Sequence, residues 1–179
     1  MAKATPKNMA LAVQRFYFLV SIVLGVIALD QGTKLWIMNT FTLHEVKEVV
    51  AGFFNLTYLY NAGAAFGLLA EVDGAWKKWL FVAVAVVAIY VILQLFKQYG
   101  LKKSFMFTGG LGLIGGGALG NVIDRLRYSA VIDFLDFYIG DYHWPAFNVA
   151  DSAIVVGVGL FIYATLFLDD KEEGASSKE

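Results

Sequence analysis

The chain has 179 residues, 59% of them hydrophobic and 16% charged, with a mean hydropathy of +0.64, which is too apolar for an ordinary soluble domain and reads as an integral membrane protein. Its net charge of -1 comes without the concentrated basic patch that a phosphate-reading surface needs, so nucleic acid is excluded as a partner. Cysteine is absent, which removes disulfides, thiolate nucleophiles and Cys-ligated zinc, and the two histidines, His44 and His143, are too few for a His-rich metal site.

In chain order, four apolar stretches stand out at about 16–38, 79–96, 105–123 and 151–168. Each is near the roughly 20 residues a helix needs to cross about 30 Å of hydrocarbon. Helices are the expected form, because backbone groups cannot go unpaired in lipid and these runs lack the alternation of barrel strands. The apolar core of the first stretch, 16–29, is followed by Asp30 and Lys34 rather than a small-residue cleavage site, so the stretch reads as a retained span. The expected fold is an all-α membrane protein, with residues 1–168 forming one integral membrane domain. The charged end, 169–179, is expected to be a disordered cytoplasmic tail.

Lys3, Lys7 and Arg15 precede the first span, and Lys97, Lys102 and Lys103 fill the loop between the second and third. The positive-inside rule then puts both termini in the cytoplasm, against a counter-signal from Lys77, Lys78, Arg125 and Arg127. Two segments fall on the outer face. Residues 39–75 mix β-branched and aromatic residues in short runs bounded by glycines and predict a small β-rich segment. Residues 124–150, with Phe134, Phe137, Tyr138, Tyr142, Trp144 and Phe147, predict a loop lying at headgroup level, where Trp76 and Trp79 would anchor the second span.

Polar residues that interrupt apolar sequence are functional candidates, because an ionised group at membrane depth costs roughly 2.5 to 3.5 kcal/mol even on mild insertion scales. Asp30 and Lys34 are four apart and share a helix face, which predicts an ion pair. Asn61 sits in YNAGAAFG, as a turn residue or a site amide. The third span carries Gly112, Gly116 and Gly120, a smooth face for another helix or for a substrate backbone. After it come Asn121, Asp124 and Arg125; Asp124 beside a guanidinium predicts a mutually satisfied pair and a depressed carboxylate pKa. Asp133 lies among apolar side chains with no cation nearby in sequence, the setting that raises a pKa. Asp136 is its competitor. Asn148 and Asp151 open the fourth span, where an aspartate is either a helix cap or half of an acid pair.

Asp30 with Lys34, Asn61-Ala62-Gly63-Ala64-Ala65-Phe66, Gly120-Asn121 with Asp124-Arg125, Val131-Ile132-Asp133-Phe134 and Phe147-Asn148-Val149-Ala150-Asp151 together resemble the ordered motif blocks of type II (lipoprotein) signal peptidases, over about residues 16–168. The resemblance implies a four-helix bacterial inner-membrane aspartyl endopeptidase. Such an enzyme removes the signal peptide from diacylglyceryl-modified prolipoproteins, cutting on the N-terminal side of the lipidated cysteine. It implies a catalytic pair at Asp133 and Asp151, with Asp30, Lys34, Asn61, Asn121, Asp124, Arg125 and Asn148 binding substrate or supporting the site, which would face the periplasm. No cofactor is expected, no metal is required, and the protein is expected to be a monomer among membrane lipids. Two other classes fit the acids and the glycine-rich helix: a small ion- or proton-coupled transporter using Asp30, Asp133 and Asp151 as a relay, and an assembly factor without chemistry.

Overall fold

In the computed structural model the described residues are 6–63 and 76–168. Among them the elements run α1 (Pro6–Thr40), β1 (Val46–Val50), β2 (Phe54–Asn61), α2 (Trp76–Tyr99), α3 (Phe105–Tyr128), β3 (Val131–Ile139), β4 (Tyr142–His143) and α4 (Val149–Tyr163), the last continued by a wider π turn over Ala164–Leu168. Four helices are long and apolar enough to cross a membrane: Asn8–Thr40, Trp76–Tyr99, Phe105–Tyr128 and Val149–Leu168. Each overruns its expected span, because propagation is not stopped where the apolar run ends; α1 runs on into Thr40 and α3 through Arg125 to Tyr128. The tail 169–179, with the expectation placed on it, lies outside the described residues, as do residues 64–75 of the expected β-rich segment.

Helix α3 is the centre of the bundle and packs on α1, α2 and α4. Its glycines explain the close approach. A Cβ at Gly116 would come within 2.7 Å of Val26 Cβ on α1, and one at Gly117 would collide with the Ala150 carbonyl on α4. The smooth face is therefore used for helix packing on both sides. Ser104 caps the start of α3 by accepting from the Phe107 N–H, and Ser129, at φ 61°, turns the chain out of its end in the left-handed conformation.

The segment expected as an interfacial loop forms strands instead. β3 and β4 complete an antiparallel sheet of order β1-β2-β3-β4, so the two segments expected on the outer face share one sheet at the end of the bundle where α3 ends and α4 begins. Of the aromatics read as a headgroup belt, Phe134, Phe137 and Phe147 pack within it, while Tyr142 and Trp144 stay exposed. Phe134 is buried with Ile37, Phe41, Tyr58 and Ile132, and the Phe137 ring stacks on Phe54 and Phe147. Register slips between Leu56 and Leu59, a bulge that bends β2 before it reaches Asn61.

Candidate active site

Asn148 is the N-cap of α4, and its pairing with Asp151 is reciprocal. The Asn148 Oδ1 accepts from the Asp151 N–H at 3.0 Å, and the Asp151 Oδ2 accepts from the Asn148 N–H at 3.3 Å. With its oxygen so held, the Asn148 amide must point its NH2 elsewhere, and Nδ2 donates to Asp133 Oδ1 at 2.7 Å. Two more asparagines repeat the device. The Gly63 N–H holds Asn61 Oδ1, leaving Nδ2 to donate to Asp133 Oδ2 at 2.9 Å. The Lys34 ammonium holds Asn121 Oδ1 at 3.2 Å, leaving Nδ2 to donate to Asp151 Oδ1 at 2.8 Å. All four oxygens of Asp133 and Asp151 thus face donors, although 18 residues separate the two along the chain.

Asp133 comes from β3 and Asp151 from the first turn of α4, so the fold joins a strand and a helix start at one place. Asp151 is thus the third helical residue of α4 and closes the capping box with Asn148. Burial pushes the Asp133 carboxyl up to about 7; the neighbouring Asp151 charge adds to the rise, and the donors from Asn61 and Asn148 oppose it. The pair borders a cleft of about 970 Å³ that also touches Gly63, Arg125 and Trp144.

Beneath the pair lies a buried charge cluster. Lys34 is 1% exposed and its ammonium sits 2.9 Å from Asp30 Oδ2 and 2.7 Å from Asp124 Oδ2. The expected Asp30–Lys34 pair is present. Asp124, however, pairs with Lys34 rather than with Arg125, and it also accepts from Gln31 Nε2 and the Ile132 N–H. Adjacent helix residues point in different directions, so Arg125 turns away to donate to the Gly63 and Asn121 carbonyls and to stack over Phe81 at 4.5 Å. Asp30 reaches across to accept from the Ala150 N–H at 3.0 Å, which ties α4's first turn to α1.

Asp136, the competitor, is engaged elsewhere: it accepts from Asn55 Nδ2 at 2.9 Å and contacts His143 Nδ1 at 2.8 Å. Sequence reasoning missed Gln31, whose amide donates to Asp30, Asp124 and the Gly120 carbonyl. The available signal was a polar residue next to Asp30 at the end of an apolar run. Among the described residues the acids gather at one end of the bundle and do not cross it, as a proton relay would require.

The family profile described as Signal peptidase (SPase) II matches residues 22–167. A lipoprotein signal peptidase of Burkholderia mallei (strain SAVP1) is 52% identical over 145 residues, covering 81% of this chain and 85% of that protein. A lipoprotein signal peptidase of Desulforapulum autotrophicum is 47% identical over 142 residues, covering 79% and 87%. Two solved structures of a bacterial membrane enzyme, obtained by the in meso method, superpose with TM-scores of 0.70 and 0.71 at 32% and 31% identity, covering 83% of this chain and 87% and 92% of theirs. The chain belongs to the signal peptidase II family and is a multi-pass bacterial membrane protein.

Proposed function

We propose that Asp133 and Asp151 are the catalytic pair of a lipoprotein signal peptidase, a membrane aspartyl endopeptidase that removes signal peptides from prolipoproteins. The substrates are diacylglyceryl-modified prolipoproteins, and the cut falls on the N-terminal side of the lipidated cysteine. The observation that carries the reading is the Asn148 bridge, which binds Asp133 by its amide and Asp151 by its backbone and carbonyl oxygen at the edge of the cleft.

Two carboxyls that share one site cannot both ionise cheaply, so one proton is shared. Burial favours the protonated form of Asp133. The protonated member of the pair donates its O–H to the scissile carbonyl while the ionised member takes a proton from the attacking water. The tetrahedral intermediate then collapses as the protonated member gives its proton to the leaving amine. Arg125 and Asn61, at the cleft wall, hold the peptide backbone, and Asp30, Lys34, Asn121, Asp124 and Asn148 keep the acids in register.

Orientation follows from charge. Arg15 donates to the Lys103 carbonyl at the end of the bundle remote from the acids, where Lys97 and Lys102 also lie, so that end is cytoplasmic and the pair faces the periplasm. Both termini are cytoplasmic, residues 1–168 form the single membrane domain, and the enzyme acts as a monomer surrounded by lipid. The test is cleavage of a diacylglyceryl-modified precursor by purified protein in detergent. Asp133→Asn and Asp151→Asn should each abolish cleavage while the protein still folds into the membrane; turnover retained in either refutes the pair.

A further inference from the structure

Asp136 is a buried carboxylate that the acid-pair chemistry does not use. It is 8% exposed and lies three residues beyond Asp133 on β3, so its side chain points to the sheet face opposite the acids. A carboxylate is costly to bury without partners, and two other strands supply them. Asn55 on β2 donates from Nδ2 to Oδ2 at 2.9 Å, and His143 on β4 brings Nδ1 to 2.8 Å from Oδ1. Facing a carboxylate, that ring nitrogen must carry the proton, so His143 is the donor. In the register His143 lies across from Tyr138 and diagonal to Asp136, which lets its ring also stack on Tyr138 at 4.9 Å and 8°.

Strand β4 is only two residues long, and the strap that follows it is one wall of the cleft. Trp144, Pro145, Ala146 and Phe147 line the cleft and lead directly into Asn148. The Trp144 N–H donates to the Phe137 carbonyl at 2.8 Å, and the Phe147 N–H to the Leu135 carbonyl at 3.1 Å. Three steps of the strap thus cover two steps of β3, so the strap carries one surplus residue and bends around Pro145, which has no N–H to donate. A bent segment keeps its shape only if both ends are held. Phe147 exchanges backbone bonds with β3 in both directions and is followed by the capping box of α4. The other end rests on the short β4, where His143 immediately precedes Trp144.

We infer that His143 is a positioning residue for substrate binding: its bond to Asp136 pins the start of the strap from the sheet face behind the acids, and so sets the wall against which the substrate peptide lies. It touches no reacting atom. Asn148 and both acids are held by bonds of their own, so the pin governs how well substrate binds and leaves the chemical step alone. The inference rests on the peptidase reading above.

The experiment measures KM, kcat and melting temperature of the full-length enzyme in detergent with one diacylglyceryl-modified precursor. The His143 side chain is 51% exposed, so replacing it opens no core cavity. His143→Phe keeps a ring for Tyr138 and deletes the donor; KM should rise about fivefold, the fold-change for loss of one hydrogen bond, with kcat within about twofold of wild type. His143→Leu drops the ring as well and should raise KM at least as far. His143→Asn, whose NH2 can stand in for Nδ1, should bring KM back to within about twofold of wild type. Asn55→Ala is the matched control, because it removes the other donor to the same carboxylate from the side away from the strap. It should lower the melting temperature about as much as His143→Phe while leaving KM within about twofold of wild type. Equal rises of KM in Asn55→Ala and His143→Phe would mean that the cluster only holds the sheet together, and would overturn the positioning role. An unchanged KM in both His143→Phe and His143→Leu, or a loss confined to kcat, overturns it too. A wild-type enzyme that leaves the precursor uncut would instead overturn the peptidase reading.

Discussion

Asn148 donates from Nδ2 to Asp133 Oδ1 at 2.7 Å while capping the helix that carries Asp151. One side chain thus fixes the distance between a strand and a helix start. Asn148→Ala removes both functions, and they have different magnitudes. Loss of an N-cap costs about 1 kcal/mol, a modest drop in thermal stability. Loss of the bridge lets the acids drift, and a misplacement of about 1 Å at a reacting centre costs on the order of a hundredfold in rate. Thermal unfolding together with kcat on one preparation should show the small first effect beside the large second one. Equal, minor effects on both would mean that the bridge does not position the pair.

The elevated Asp133 pKa links activity and stability to pH with a definite sign. The carboxyl ionises near 3.8 when unfolded and at about 7 when folded, so between those values the folded state binds more protons. Stability from this group is fully present below about pH 4 and is lost as pH rises through about 7. Asp133→Asn, which cannot ionise, should therefore raise the melting temperature relative to wild type at pH 8 and change it little at pH 4. In the wild-type enzyme kcat/KM should fall on the alkaline side with an apparent pKa near 7, as the shared proton leaves. Melting curves of both proteins at the two pH values, with a pH–rate profile, check both signs.

Lys34 is a cation buried between two carboxylates, and its ammonium also orients Asn121 towards Asp151. Lys34→Met leaves Asp30 and Asp124 buried without a counter-charge, and breaking a buried pair from one side typically costs about 3–5 kcal/mol. The variant should accumulate poorly in membranes. Adding Asp124→Asn should recover a measurable part of the loss, since it removes one of the two stranded charges. Protein yield and unfolding of the single and double variants give the comparison; no recovery in the double variant would locate the defect outside the charge cluster.

The same cluster marks where the sequence could be read and where it could not. The four spans were legible because an apolar run near twenty residues has one structural solution in lipid. Asp133 stood out as an acid with no cation beside it in sequence, whereas Asp151 at the start of the fourth span read either as a helix cap or as half of an acid pair. Asp124 was misread because its sequence neighbour is Arg125, whereas its partner Lys34 comes from another helix and no local pattern encodes that approach. Strand β3 was hidden for a related reason. VIDFLDFYI has most of its first six positions buried on both faces, so it lacks the alternation of a half-exposed strand, and its aromatics imitate an interfacial belt. The route of residues 144–147 back to β3, through the bonds from the Phe134 and Leu135 N–H groups to the Phe147 carbonyl, is set by tertiary pairing alone.

The glycines of α3 give a prediction about how the acid pair depends on helix spacing. Gly117 lies four residues before Asn121 on α3, and an added Cβ there would strike the Ala150 carbonyl, one residue before Asp151 on α4. Backbone cannot yield as a flexible side chain does, so Gly117→Ala must push α4 away from α3 at the point where Asn121 donates to Asp151. The helix itself should gain from the substitution, since alanine is favoured over glycine by about 1 kcal/mol in a helix interior. Gly159→Ala on α4 provides the control, because its Cβ would meet nothing within 4 Å. Cleavage should fall at least about tenfold in Gly117→Ala and stay near wild type in Gly159→Ala, and both proteins should still insert. If the two variants cleave equally well, the contact of α3 with α4 does not set the position of Asp151, and the asparagine donors alone must hold it.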